Sequence, residues 1–199
     1  MNSEIFHINP SRTMDTGTLL TKVNRYKQIL QNTDNYRAAW NDNIKPLLTA
    51  TLGDIIKDAD LPKAEVVVRD NIENLESVTL DLGRSSSGIA ENVEDSGVKR
   101  TMIKSNGALI YQQLFNGKIM VMIMSPFIEG YGQPKPPMTI EILRPDELKA
   151  PFIIRHMEAF LKDISDWEDY DDEQSQKLNT IGFNPVGFNP DQEQVQPSV

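Results

Sequence analysis

The first sixty residues alternate apolar and polar positions with the period of an α-helix. Apolar side chains recur at intervals of four, three and four residues, which places them on one helical face: Leu19, Val23, Tyr26 and Leu30. The polar residues 32–34 interrupt this stripe, and a second stripe follows. Proline lacks a backbone N–H, so Pro46 predicts a kink or a break just before it. We therefore expect a helical hairpin, or a helical arm of three pieces, over residues 1–62.

The middle of the chain changes to the two-residue period of β-strands. Val78, Leu80 and Leu82 alternate with polar residues, a pattern typical of a half-buried strand. The dipeptides Asn106-Gly107 and Asn116-Gly117 predict hairpin turns, because Asn and Gly tolerate positive φ. We interpret the polar stretch 83–97 as a long loop. These segments predict an antiparallel meander of five or six strands.

The last apolar pattern is again helical. One stripe contains Ile153, Met157, Phe160, Leu161, Ile164 and Trp167. A helix with such a stripe is expected to pack on the sheet. Acidic residues follow Trp167, at the helix end where the macrodipole disfavours negative charge, so we expect the helix to end there. The predicted fold class is α+β, with a compact unit that joins 63–168 to the helical arm 1–62, and an acidic extended tail at 169–199.

The distribution of charged residues supports this division of the chain. The 199 residues include 20 Lys and Arg and 29 Asp and Glu, a formal net charge of −9. Nine of the acidic residues and one basic residue follow Lys162, so the body is nearly neutral and the charge belongs to the C-terminal end. This balance excludes a strongly basic nucleic-acid module. An acidic block of this kind is typical of a solvated tail or an interaction tail.

The composition excludes several chemistries. The chain has no cysteine and two histidines, His7 and His156. Disulfides, thiolate nucleophiles and cysteine-based metal sites are therefore ruled out. The small residues 83–88 lack the Lys of a phosphate-binding loop, and the carboxylates of 166–173 lack the Gly of a calcium loop. We expect no metal and no cofactor.

The most specific motif lies in the tail, where Gly-Phe-Asn-Pro occurs twice with a five-residue period. Short segments with one aromatic anchor, held extended by proline, are typical of docking peptides. The predicted partner-binding residues are the two copies and the acidic residues before them: Phe183, Asn184, Pro185, Phe188, Asn189, Pro190, Asp169, Asp171 and Asp172. Local duplication without function is the alternative explanation of the repeat.

The tail favours a non-enzymatic interaction protein, an adaptor or a structural subunit of a larger assembly. Its partners would be proteins, either copies of itself or the other subunits of an assembly. A second hypothesis is a small-ligand-binding or enzymatic domain with a pocket between sheet and C-terminal helix near Tyr131, Arg155 and His156, although a structural role for His156 is favoured. A third, weaker hypothesis is single-strand nucleic-acid binding by the basic residues Lys99, Arg100 and Lys104.

Two further patterns concern surfaces and location. The strand 119–124 alternates Ile or Val with Met, so both of its faces are expected to be covered, one of them by helices and the other within the subunit or by a partner. This six-residue segment is the longest apolar run, against about 20 residues for a membrane helix. The N-terminus resembles neither a secretory signal nor an anchor. We therefore expect a soluble, cytoplasmic protein without membrane contact.

Overall fold

The computed structural model describes residues 16–61, 63–92 and 98–169. Three α-helices and one π-helical turn are formed: α1 (Gly17–Ala39), the π-helical turn (Trp40–Ile44), α2 (Lys45–Asp58) and α3 (Ala150–Glu168). The strands are β1 (Glu65–Arg69), β2 (Ser77–Asp81), β3 (Arg84–Asn92), β4 (Lys99–Ser105), β5 (Ala108–Gln113), β6 (Ile119–Met124), β7 (Phe127–Ile128) and β8 (Met138–Leu143). The predicted α+β class is confirmed.

The N-terminal helices form one continuous run rather than the hairpin that the polar residues 32–34 predicted. The residues that join α1, the π-helical turn and α2 all have right-handed helical φ and ψ. In an α-helix the ring of Pro46 would collide with the carbonyl of residue 42. The chain instead widens to π geometry just before Pro46, with the Lys45 N–H bonded to the Trp40 carbonyl. The predicted irregularity is therefore present, but it changes the helix without reversing it.

All strand pairs are antiparallel, in two sheets. The larger sheet has the order β1-β2-β5-β6-β8, and the smaller one the order β3-β4-β7. The segment 84–92, interpreted above as loop, is the strand β3. Its Ser and Gly residues show no apolar alternation, and pairing with β4 holds it extended.

One of the two predicted hairpin turns is wrong. Asn116-Gly117 does connect the paired strands β5 and β6. Asn106-Gly107 instead lies between β4 and β5, which do not pair with each other. There the chain bends from one sheet into the other, opposite Gly83, and the Leu82 N–H donates to the Gly107 carbonyl. Gly83, between β2 and β3, and Gly107, between β4 and β5, both have a positive φ. This conformation lets the two neighbouring segments bend at the same point.

The hydrophobic core lies between one face of the larger sheet and the helices. Its members are the inward side chains of the π-helical turn, α2, α3 and the central strands: Trp40, Ile44, Leu48, Leu52, Val78, Leu80, Leu109, Tyr111, Ile119, Val121, Ile123, Leu143, Leu148, Ile153, Met157 and Phe160. On β6 the Ile and Val side chains are buried in this core, and the three Met side chains on the other face are half-buried. The helices therefore cover one face of β6, as expected.

Within the described residues, no helix is both long enough and apolar enough to cross a membrane.

The β5–β6 turn is pressed against the end of α1. A Cβ built on Gly117 would lie 2.6 Å from the Tyr36 Cβ and 3.0 Å from the Arg37 backbone nitrogen. Gly117 has a φ of +74°, and Gly130 has a similar φ of +79° but nothing within 4 Å of its built Cβ. The two glycines therefore share the conformational constraint and differ in the space around them.

We expect Gly117→Ala to destabilise the fold more than Gly130→Ala. Both variants carry the left-handed backbone cost of about 1–2 kcal/mol, and Gly117→Ala adds roughly 1–3 kcal/mol for the overpacked turn. Urea unfolding followed by circular dichroism measures both free energies. Equal losses would show that α1 is not held against this turn.

Candidate functional site

A group of polar side chains that contact one another lies between α3 and the larger sheet. His156 points inward from α3 and is 1% exposed. Its Nδ1 lies 3.3 Å from the Tyr111 hydroxyl on β5, and its Nε2 lies 3.0 Å from Glu141 Oε2 on β8. Arg155, the preceding residue on α3, donates to the same Glu141 oxygen at 2.5 Å. These four side chains are called the His156 cluster below.

The electrostatics of the His156 cluster define a direction for its hydrogen bonds. Burial raises the pKa of Tyr111 well above its usual range, so the phenol keeps its proton and can donate to Nδ1. The protonated Nε2 then donates to Glu141. The hydrogen bond from His156, followed by the positive charge of Arg155, holds the pKa of Glu141 below its ordinary value. The resulting chain of donors joins β5, α3 and β8.

The structure brings together two of the three residues of the predicted pocket. Arg155 and His156 share Glu141, whereas Tyr131 lies in the turn after β7, where it forms a β-bridge with Ile128. The partners Tyr111 and Glu141 were missed by the sequence analysis. An acidic residue within the apolar segment 138–143 is visible in the sequence, but its register opposite the buried Val121, which points it toward the core, is seen only in the structure.

A second buried polar group lies below the π-helical turn. The Trp40 indole N–H donates to Glu76 at 3.0 Å, and the ammonium group of Lys45 forms an ion pair with the same carboxylate.

Gln113, 1% exposed, has an amide nitrogen and an amide oxygen without hydrogen-bond partners among the described residues. A desolvated amide of this kind reduces the stability of a fold.

An open cleft of about 290 Å³ lies at the other end of α3. Its lining residues come from the end of α2, the bend between the sheets and the last turns of α3: Leu61, Lys63, Ala64, Leu82, Asn106, Ile164 and Glu168. No member of the His156 cluster lines it. Beside this cleft Lys104 bonds Glu168 at 2.6 Å and lies over the Trp167 ring.

The three basic residues of the nucleic-acid hypothesis have different surroundings. Lys104 is tied to the end of α3 by its contacts with Glu168 and Trp167. Lys99 and Arg100 are exposed at the beginning of β4. The structure therefore separates the residues that this hypothesis would use together.

The predicted tail residues are described only at their start. Asp169 is exposed, and its backbone N–H donates to the Ser165 carbonyl at the end of α3. The remaining predicted partner-binding residues lie outside the described part of the chain: Asp171, Asp172, Phe183, Asn184, Pro185, Phe188, Asn189 and Pro190.

Among the described elements, α1 has the most exposed large apolar side chains. None of its 23 residues is buried by the described part of the chain. The exposed fractions are 58% for Leu19, 56% for Leu20, 61% for Tyr26, 51% for Ile29 and 48% for Leu30. At the base of α1, where Arg37 donates to the Phe115 carbonyl at 2.7 Å, the Phe115 side chain is 73% exposed. Exposed apolar surface of this extent is typical of interaction sites.

Comparison with models of known protein families gives no match, and comparisons with curated protein sequences and with solved structures give none either.

The lowered pKa of Glu141 predicts a pH-dependent contribution to stability. A carboxylate whose pKa is lower in the folded state contributes fully above its ordinary value of 4.5, and the contribution is lost as the pH falls through the folded pKa. We expect Glu141→Gln to lower the free energy of unfolding by about 1 kcal/mol at pH 7, and by less at pH 3.5. Urea unfolding at both pH values measures the difference. Glu158→Gln, at an exposed position on α3, is the control, and an equal pH response of the two variants would contradict the prediction.

Replacement of the unpartnered Gln113 amide is expected to stabilise the fold. Gln113→Met keeps the side-chain volume and removes two desolvated polar atoms, for a gain of about 1–2 kcal/mol in the free energy of unfolding. Its neighbour Gln112 donates to the Leu75 and Glu76 carbonyls, so Gln112→Met should lose about 1 kcal/mol. Thermal and urea unfolding distinguish the two. A loss for Gln113→Met would show that the amide has a hydrogen-bond partner such as a buried water.

Proposed function

We propose that this chain is a non-enzymatic interaction protein, an adaptor or structural subunit of a larger assembly that docks partners through its C-terminal tail. The observation that carries the proposal is the exposed apolar surface of α1. A helix gains most of its stability from tertiary packing, and apart from the β5–β6 turn against its C-terminal end the described residues leave this helix uncovered. The surface of α1 therefore supports a protein whose complete form includes other chains.

The arrangement of the polar clusters supports the same function. The groups of the His156 cluster bond one another and join secondary-structure elements, and they do not line the described cleft. Glu76 likewise has its charge matched by Lys45 and accepts the Trp40 N–H. These contacts explain the clusters as supports of the core.

The position of the tail favours a docking role. Lys104 holds both Trp167 and Glu168, the last residues of α3, so the start of the tail is fixed to the body. Acidic residues and two Phe anchors follow. Acidic side chains would accelerate approach to a basic surface, and the repeated Gly-Phe-Asn-Pro would provide equivalent contacts with increased avidity.

Affinity capture with the tagged chain, in a lysate of the cells that naturally produce it, tests this proposal. We expect the double variant Phe183→Ala/Phe188→Ala to recover specific partners at least about tenfold less well than the wild type, because aromatic anchors dominate docking energies. Leu178→Ala/Val195→Ala removes apolar tail residues outside the repeats and should leave recovery unchanged.

Quantitative mass spectrometry of the recovered proteins is the readout. Equal recovery by the two double variants would remove the repeats from the proposal. Recovery of nothing above an unrelated tagged protein would contradict the proposed function itself.

A further inference from the structure

The apolar stripe of α1 continues the stripe that packs on the sheet. Leu19, Val23, Tyr26 and Leu30 follow one another at four, three and four residues, and Thr33, Arg37 and Trp40 extend the same spacing into the body. Trp40 is buried in the core, and the segment around Thr33 and Arg37 lies on the β5–β6 turn. The residues before Thr33 therefore extend beyond the end of the sheet, with the core-facing side of the helix uncovered by the described residues.

The extended part of α1 has little local support for its helical form. Thr16 at its N-cap makes no side-chain capping bond, and the first turn contains no acidic residue. Residues 17–33 include Gly, Val, Ile, two Asn and three Thr, all of which have weaker helix propensity than Ala or Leu. Packing of the stripe against another surface would supply the stability that these local interactions do not provide.

We infer that the surface that covers this stripe is α1 of a second copy of the chain, paired antiparallel about a two-fold axis. This inference rests on the proposed function and names one of its partners. The stripe has heptad spacing over two heptads, and it is self-complementary in the antiparallel direction. Leu19 then meets Leu30 of the second copy, and Val23 meets Tyr26, so each layer of the interface pairs side chains that fill the space between the helices.

The flanking positions select the antiparallel direction. In that direction Leu20 lies beside Lys27 of the second copy, and Ile29 lies beside Lys22, so aliphatic side chains pack along lysine stems. In the parallel direction Lys22 would face Lys27 of the other chain on both sides of the pair, which is unfavourable. The antiparallel pair also places the two bodies at opposite ends of the shared helices.

The salt dependence of association distinguishes a second copy from an acidic occupant such as the tail, because α1 is positively charged. The segment 17–33 carries Lys22, Arg25 and Lys27 and no acidic residue, a charge of +3. Two such helices repel each other weakly, so added salt should tighten their association by screening. Binding of an acidic segment to the same helix would weaken with salt.

Cysteine cross-linking of full-length chains tests the pairing, because the natural sequence has no cysteine. We expect a mixture of Leu19→Cys and Leu30→Cys chains to form the mixed disulfide as its main cross-linked product under mild oxidation. The control is a mixture of Thr21→Cys and Gln28→Cys chains, which places the thiols at similar heights on the opposite face of the helix and should remain uncross-linked. Disulfides require Cα atoms within about 7 Å, so the readout is specific for the face that pairs.

The association of the unmodified chain provides a second measurement. We expect analytical ultracentrifugation to show a reversible dimer whose dissociation constant falls about three- to tenfold between low and high salt. Val23→Asp should abolish the dimer while circular dichroism of the body remains unchanged, since Val23 lies outside the core. A chain ending at Asp169 should still dimerise.

Four results would overturn the inference. They are a monomer at all concentrations, cross-linking no greater than in the control mixture, a dominant disulfide between two Leu19→Cys chains, and loss of association when the tail is removed or salt is added. None of these results depends on capture of other proteins, so failure of the pairing and failure of the proposed function are distinguishable.

Discussion

The contact of Trp40 with Glu76 determines how the long helical run meets the sheet. Trp40 is buried at the π-helical turn, and its indole N–H finds its acceptor in a carboxylate whose charge is matched by Lys45. A buried tryptophan without such an acceptor would be costly, so this contact sets the register of the helix on the sheet. From Trp40 onward the inward side chains enter the core, and the residues before Thr33 necessarily lie beyond it. The exposed part of α1 is thus a consequence of where the helix is anchored.

Sequence patterns predicted the elements whose burial is regular. The stripe of α3 and the strands β2 and β6 follow from local periodicity, because one face of each meets the core. The predicted break at residues 32–34 rested on weak helix formers, but α1 runs through these residues without interruption. The strand β3 could not be predicted in this way, since pairing with β4 rather than an apolar pattern holds it. The bend at Gly107 shares its dipeptide with a hairpin turn, and only the strand order distinguishes them.

The candidate sites were less accessible to sequence reasoning. Arg155 and His156 are consecutive residues of a helix that its apolar stripe predicted, but their common partner Glu141 comes from a strand whose register is a tertiary property. Tyr131 was predicted to lie near them in one pocket, but it lies in a separate turn. The stripe of α1 looks the same in sequence whether it meets its own sheet or another chain. Its exposure follows from the length of the helix relative to the sheet, which no local pattern records.

The helices α2 and α3 end at the same cleft, which lies at one end of the molecule. Leu61 and Glu168 line the same cleft, so the tail begins at the end of the body opposite the free end of α1. The helical run from Gly17 to Asp58 measures about 60 Å along its axis. In an antiparallel pair the two ends of α3 from which the tails continue would lie roughly 100 Å apart. Such a pair would act as a spacer that engages two distant sites at once, and its reach would be set by helix length rather than by linker composition.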